Sequence, residues 1–192
     1  ITTANTNTNL AATGLVPGTY KLYTIDGAGN LSAASTNTIS IKPATPGTPD
    51  LDAASDLGTS NADNNTSDDT PTFNVSSLIS VASVTVAATP SSGNAVTCSF
   101  TSTGNSGSCT FISLSNGTYS VAAVQSFGGL NSDTSTALAN VVINKATISR
   151  PARPDLATSS DSGSSSSDDL TNDNTPTINA SGSFTGTGTV TA

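Results

Sequence analysis

The chain has no histidine, no methionine and no tryptophan. Glutamate is missing too, so each of the 13 acidic residues is an aspartate. Without His or Glu the usual general bases are absent. No G-x-S-x-G elbow, P-loop or zinc-ligand spacing occurs either. Paired aspartates are the machinery of glycoside hydrolysis, but here they recur in repeated segments, which suits a structural part and not a single active site. The sequence therefore reads as non-enzymatic. Aromatics make up 4 % of the chain. A sugar-binding platform needs exposed aromatic faces, so a carbohydrate-binding module, with only Tyr20, Tyr23 and Tyr119 to build on, is the weakest of the binding readings.

Positive charge is scarce: five Lys and Arg leave a net charge of −8. Nucleic acid is disfavoured as a partner, because phosphates require a basic surface. There is no apolar run of membrane-spanning length. No signal-peptide pattern opens the sequence, which begins in the middle of a repeat.

What fills the chain is Thr, Ser, Asn, Gly and short apolar stretches. Thr and Val suit half-buried strands, and Asn, Asp, Gly and Ser suit turns. Strong helix formers are few. Hydrophobic content, at 34 %, is low enough to raise disorder as an alternative. The apolar residues alternate with polar ones, however, which argues for sheets with one buried face. The expected strands are 70–77, 82–89, 95–100, 108–113, 117–125 and 137–145. Val84, Val86 and Ala88 should share one face, and Tyr119, Val121 and Ala123 another. Many short strands with turn residues between them indicate an all-β sandwich or barrel.

Internal repetition is the strongest signal. Residues 49–74, PDLDAASDLGTSNADNNTSDDTPTFN, align without gaps on residues 154–179, PDLATSSDSGSSSSDDLTNDNTPTIN, with 14 of 26 positions identical. A second echo links LVPGTY at 15–20 with LSNGTY at 114–119. Together they divide the chain into the C-terminal part of one unit (1–44), a complete unit (45–149) and the N-terminal part of a third (150–192). A unit of this size suits an immunoglobulin-type sandwich.

Cys98 and Cys109 are read as a disulfide in an oxidising compartment, the alternative being two reduced thiols. If they oppose each other across an antiparallel hairpin, Val96 faces Phe111, Phe100 faces Gly107, and the turn centres on Thr103-Gly104. Such a short loop is worth roughly 2–3 kcal/mol in the entropic account.

The PDL…SD.G.S…D..T.D.TPT segments and the GTYKLYTIDGAGNLS stretch at 18–32 resemble the bacterial Ig-like repeats of giant adhesins and biofilm-associated surface proteins. The resemblance covers the chain in three pieces. It implies tandem immunoglobulin-like sandwiches stacked head to tail, an extracellular or cell-surface location, and frequent Ca²⁺ at the junctions between repeats.

Calcium takes six to eight oxygen ligands, and the acidic segments supply carboxylates. Asp50, Asp56, Asp63 and Asp68 recur as Asp155, Asp161, Asp168 and Asp173. Clustered carboxylates repel one another unless a cation or solvent screens them. With Asp26, in the D-x-A-G-N turn, these are the candidate metal ligands. The competing reading is that they cap turns and keep the surface soluble. Aligned through GTY, Asp26 and Asn30 fall on Gln125 and Gly129, so the middle unit lacks that Asp. Asn-X-Ser/Thr sequons at Asn30, Asn64, Asn74, Asn116 and Asn179 mark surface positions.

The functional expectation is a structural stalk or spacer of a repetitive surface adhesin or extracellular fibre, rigidified by calcium. Its partners are then neighbouring repeats. The alternative is a filament or sheath subunit whose split end domains are completed by identical chains through strand addition.

Overall fold

The computed structural model describes residues 9–145 and 153–179. Contacts divide the chain after Lys145, and the two parts are described separately. Among the described residues there is no helix, and hence none long and apolar enough to cross a membrane.

The first part opens with β1 (Gly18–Tyr20) and β2 (Ile39–Ile41), an antiparallel pair in which Gly18 faces Ile41. Nine strands follow: β3 (Asp50–Leu51), β4 (Asn65–Thr66), β5 (Thr72–Ser76), β6 (Ser83–Pro90), β7 (Val96–Thr101), β8 (Ser106–Thr110), β9 (Gly117–Phe127), β10 (Leu130–Asn131) and β11 (Leu138–Ile143). They form two sheets, β3-β5-β8 and β4-β11-β9-β6-β7, with β10 folded back on β9. The second part holds β12 (Asp155–Leu156) paired with β13 (Ile178–Asn179). The boundary expected at 149/150 and residues 1–8 and 180–192 lie outside the described residues.

Alternation builds the core. On β6, Val84, Val86 and Ala88 are fully buried, and on β9 Tyr119, Val121 and Ala123 are buried beside them, as their period of two requires. The small sheet contributes Leu51, Phe73, Val75 and Cys109. Phe111 leaves the ladder after β8 and meets Phe73 edge to face, with ring centroids 5.7 Å apart. Such pairs add about 0.5–1.5 kcal/mol beyond burial. Strand 108–113 therefore ends early. The Phe111 N–H bonds to the Pro71 carbonyl instead of a β5 partner, and Ile112 is left in solvent. The two-residue strands β3 and β4 were not expected, since their sequences read as turn.

The hairpin expected at the cysteines does not form. β7 pairs with β6, placing Cys98 opposite Val86. β8 pairs with β5, placing Cys109 opposite Phe73. The chain changes sheets at residues 102–105, so the Cys98–Cys109 disulfide bridges two layers and not two rungs of one ladder. Phe100 and Gly107 do meet as expected, but across the layers: a Cβ on Gly107 would overlap the Phe100 ring. The switch is held by Ser102, which is buried. Its Oγ donates to the Ile79 carbonyl and accepts from the Ala82 N–H. A ladder argument cannot detect this, because residues that face each other at one sheet edge satisfy either geometry.

Candidate functional site: the repeated acidic loop

Residues 52–72 form a loop between the two sheets whose backbone is held by its own side chains. The Asp52 carbonyl accepts the Ser55 and Asp56 N–H groups. Ser55 Oγ accepts the Thr72 N–H, and Thr66 Oγ1 donates to the Ser55 carbonyl and accepts from the Leu57 and Asp68 N–H groups. The same pattern recurs 105 residues on. The Ala157 carbonyl accepts Ser160 and Asp161, Ser160 Oγ accepts Thr177, and Thr171 Oγ1 accepts Asp173. Where Ser, Asp and Thr recur at the same spacing, several of the same bonds recur, although Thr171 Oγ1 meets Ser162 where Thr66 Oγ1 meets Ser55 and Leu57.

The structure does not gather the expected metal ligands into one shell. Asp63 Oδ1 accepts the Asn65 N–H, and Asp68 Oδ1 accepts the N–H and hydroxyl of Thr70. Asp168 and Asp173 do the same for Leu170 and for Thr175. Each closes a local Asx turn. Asp50 and Asp155 open β3 and β12 and stay exposed. Among the described residues no three acidic side chains converge on a point that would hold an ion.

Asp56 and Asp161 differ from the rest. Both are buried, at 3 % and 6 % exposure. In each, Oδ2 accepts the N–H of the residue eight positions on, Asn64 or Asp169, both with positive φ. In each, Oδ1 is buried with no partner. A buried carboxylate oxygen without a hydrogen bond is costly. The same oxygen is left without a partner at the same place in both copies.

Asp26 lies elsewhere, at the tip of the β-turn after β1. Its Oδ1 accepts the Ala28 and Asn30 N–H groups and its Oδ2 accepts Asn30 Nδ2. The Asn30 side-chain bond, followed by the Asn30 backbone bond, holds its pKa below the ordinary carboxylate value. Hydrogen bonds also revise the alignment of this turn. Thr24 and Gln125 each donate N–H to a serine Oγ and accept that serine's N–H, from Ser32 and Ser132. Leu22 with Ser35 and Ala123 with Ser135 repeat the arrangement. Gln125 therefore corresponds to Thr24 and not to Asp26; the second strand runs two residues longer between GTY and the serines. The middle unit still has no aspartate in this turn.

Gln125 has its own work. It is fully buried; Oε1 accepts the Ile79 N–H, and Nε2 donates to the carbonyls of Ala44 and Ser77. It thus fixes the point where the chain enters the middle sandwich. At the other end of β9, Asn116 holds the exit. Its Oδ1 accepts the Lys145 N–H and its Nδ2 donates to the Lys145 carbonyl, at 3.0 and 3.3 Å. Entry and exit thus sit at opposite ends of one strand, roughly 30 Å apart at the usual rise per residue. Ion pairs flank both points, Lys42 with Asp133 and Lys145 with Asp69.

One further device is shared by the GTY stretches. The Tyr119 hydroxyl donates to the Ser115 carbonyl at 2.9 Å, and the Tyr20 hydroxyl to the Val16 carbonyl at 2.6 Å. A tyrosine bonded back to the chain just upstream of its strand is a hallmark of immunoglobulin-type corners. Comparison with family models decides the matter: residues 41–144 match the bacterial Ig-like domain. The chain belongs to that family. A search of curated proteins finds no match.

Bacterial Ig-like domains are structural and not catalytic in type, and are typical of surface-associated proteins. A shallow groove of about 420 Å³ on the outer face of the small sheet is lined by Thr48, Asp50, Asn74, Ser76, Ser106 and Ser108 among others, with no aromatic side chain. Sequence reasoning missed Gln125 and Asn116 as end clamps. The available signal was faint: Gln125 is the sole glutamine in the chain, set on a buried face where an apolar residue is expected.

Proposed function

We propose that this chain is part of the spacer of a bacterial surface or secreted protein, in which Ig-like units follow one another and hold a distal region away from the cell. The observation that carries this reading is the placement of Ala44 and Lys145 at opposite ends of β9. A unit entered at one end and left at the other adds length with each copy. Small-angle scattering on chains of one, two and three consecutive units tests it. The maximum dimension should grow by about 30–40 Å per added unit; compact scaling would overturn the reading.

Calcium enters through Asp56 and Asp161. Their unpartnered oxygens are the candidate ligands, completed by backbone carbonyls and water in the manner hard cations favour. Bound there, a cation neutralises a buried charge and ties the acidic loop down. Calorimetric titration of Ca²⁺ into the chelator-treated protein should show binding that Asp56→Asn weakens. A melting temperature indifferent to both excess chelator and added Ca²⁺ counts against it.

A second reading is kept for one observation. Leu22, Tyr23, Ile25, Leu31 and Ile39 are all at least half exposed on the 9–41 segment, whereas the matching strands of the middle unit are buried. If these side chains are covered by a strand of another chain, the protein is a filament subunit. Concentration-dependent oligomers in light scattering support that reading, and a constant monomer mass removes it.

A further inference from the structure

We propose that Asn116 is a self-modifying residue: when the exit end of β9 and β11 opens, its side-chain amide is lost and isoaspartate takes its place, so the clamp on Lys145 cannot close again. Asn116 and Gly117 form the one Asn-Gly pair in the chain, and both are exposed. In such a pair the glycine main-chain nitrogen can reach the asparagine amide carbon by closing a five-membered ring, and no side chain shields its approach. Every other asparagine is followed by a residue that carries a side chain.

The reaction needs only water. The Gly117 N–H gives up its proton, and the nitrogen attacks Asn116 Cγ. The new N–Cγ bond closes a succinimide ring. The Cγ–Nδ2 bond breaks, and Nδ2 leaves as ammonia with that proton. Water then opens the ring at one of its two carbonyls. Opening at Cγ gives aspartate. Opening at the main-chain carbonyl gives isoaspartate, whose main chain runs through Cβ and Cγ and is one carbon longer.

The fold keeps the two reacting groups occupied elsewhere. Asn116 Oδ1 accepts the Lys145 N–H and Nδ2 donates to the Lys145 carbonyl. Gly117 lies opposite Ile143 in the antiparallel register. Val142 and Asn144 send their N–H groups to Asn64 and Thr66. The intervening Ile143 therefore points its own groups at β9, and the Gly117 N–H is directed at the Ile143 carbonyl. Attack requires the Asn116 amide to leave Lys145 and the Gly117 N–H to leave Ile143, so it proceeds from locally opened molecules. The product does not restore the clamp. A carboxylate accepts the Lys145 N–H but has no hydrogen to donate to the carbonyl, and the added carbon shifts Gly117 against Ile143. An opened exit is thereby written into the covalent chain.

This inference is independent of the spacer reading, which scattering decides. The test incubates the whole chain in mildly alkaline buffer, folded or in urea above its unfolding midpoint. Isoaspartate is followed by mass spectrometry with electron-based fragmentation, which separates it from aspartate. It should form at 116 well before Asn105 or Asn131, each followed by serine, reacts. It should form at least about tenfold faster in urea than in the folded chain. Lys145→Pro deletes the N–H that Asn116 Oδ1 accepts, whereas Lys145→Ala keeps it and removes the ion pair with Asp69. The proline variant should speed the reaction in the folded chain by about fivefold, the effect of one hydrogen bond. The alanine variant should stay within about twofold of the parent. If Lys145→Pro fails to fold, hydrogen exchange of the Lys145 amide in the purified isoaspartyl chain decides: faster exchange than in the parent supports the proposal, and unchanged exchange overturns it. Equal rates in folded and unfolded chains, a folded proline variant no faster than the alanine one, or no isoaspartate at 116 in either state also overturn it.

Discussion

Cys98 and Cys109 lie 6.0 Å apart between Cα atoms and join strands of opposite sheets. The bond stitches the β7 and β8 edges, where the chain passes from one layer to the other. Because the closed loop is short, its removal restores only modest freedom to the unfolded chain. The double variant Cys98→Ala, Cys109→Ala should stay folded with the same β spectrum and lose about 2–3 kcal/mol in urea denaturation. Loss of the folded signal altogether would show that the bridge does more than restrict the unfolded chain.

Gln125 satisfies three backbone groups at once, those of Ala44, Ser77 and Ile79. Gln125→Leu keeps most of the volume but leaves all three without a side-chain partner. The expected cost is about 2–4 kcal/mol, several times that of an ordinary surface change. A cost under about 0.5 kcal/mol would mean that water replaces the amide there.

Val81 sits at φ 60°, in the left-handed region, with its side chain 69 % exposed. The loop imposes this: the Val81 N–H is tied to the Ser102 carbonyl, and the Ala82 N–H to the Ile79 carbonyl. For a β-branched residue that conformation costs on the order of 1–2 kcal/mol. Val81→Gly should therefore raise the unfolding free energy by up to about 1 kcal/mol after the entropy of glycine is deducted, read as a higher urea midpoint. Val81→Ala, which keeps a Cβ, should gain much less. Equal effects for the two would place the strain elsewhere.

Acid should loosen the molecule through three carboxyls at the surface, Asp26 exposed and Asp52 and Asp69 partly so. Asp69 is held below its ordinary pKa by the hydrogen bond from Lys145 and by that residue's charge, Asp52 by Asn74 and the Ala54 N–H, and Asp26 by Asn30. A folded-state pKa below the unfolded value, near 3.9, gives stability that is complete above that value. It is lost as pH falls through the depressed folded pKa. Melting temperature should thus be flat at neutral pH and decline below about pH 4, and Asp69→Asn should flatten part of that decline. A decline that begins near pH 6 would require a different group.

Much of the molecule was legible in advance. Val84, Val86 and Ala88, and Tyr119, Val121 and Ala123, announce their faces because a strand's period of two converts spacing directly into burial. The acidic loops were legible as a pair, because the same Ser, Asp and Thr at the same spacing recreate several of the same local bonds. β3 and β4 were not, since two residues of ladder carry no periodic signal. The four repeated aspartates were legible as carboxylates and as turn caps, but which of them close turns and which is buried was not. Whether such residues converge depends on where the intervening chain turns.

The order of residues by itself determined what is local: all-β character, the turns, the recurrence of the loop, and which side of each long strand faces inward. Tertiary structure decided what depends on residues far apart in the chain. It set β7 and β8 in different sheets, sent Gln125 to Ala44, laid β4 along β11, and buried one oxygen of Asp56 without a partner. Local bonds are fixed by φ, ψ and neighbouring side chains. Layer assignment, by contrast, follows from how the whole apolar surface closes on itself, and that balance is struck only when both sheets are present.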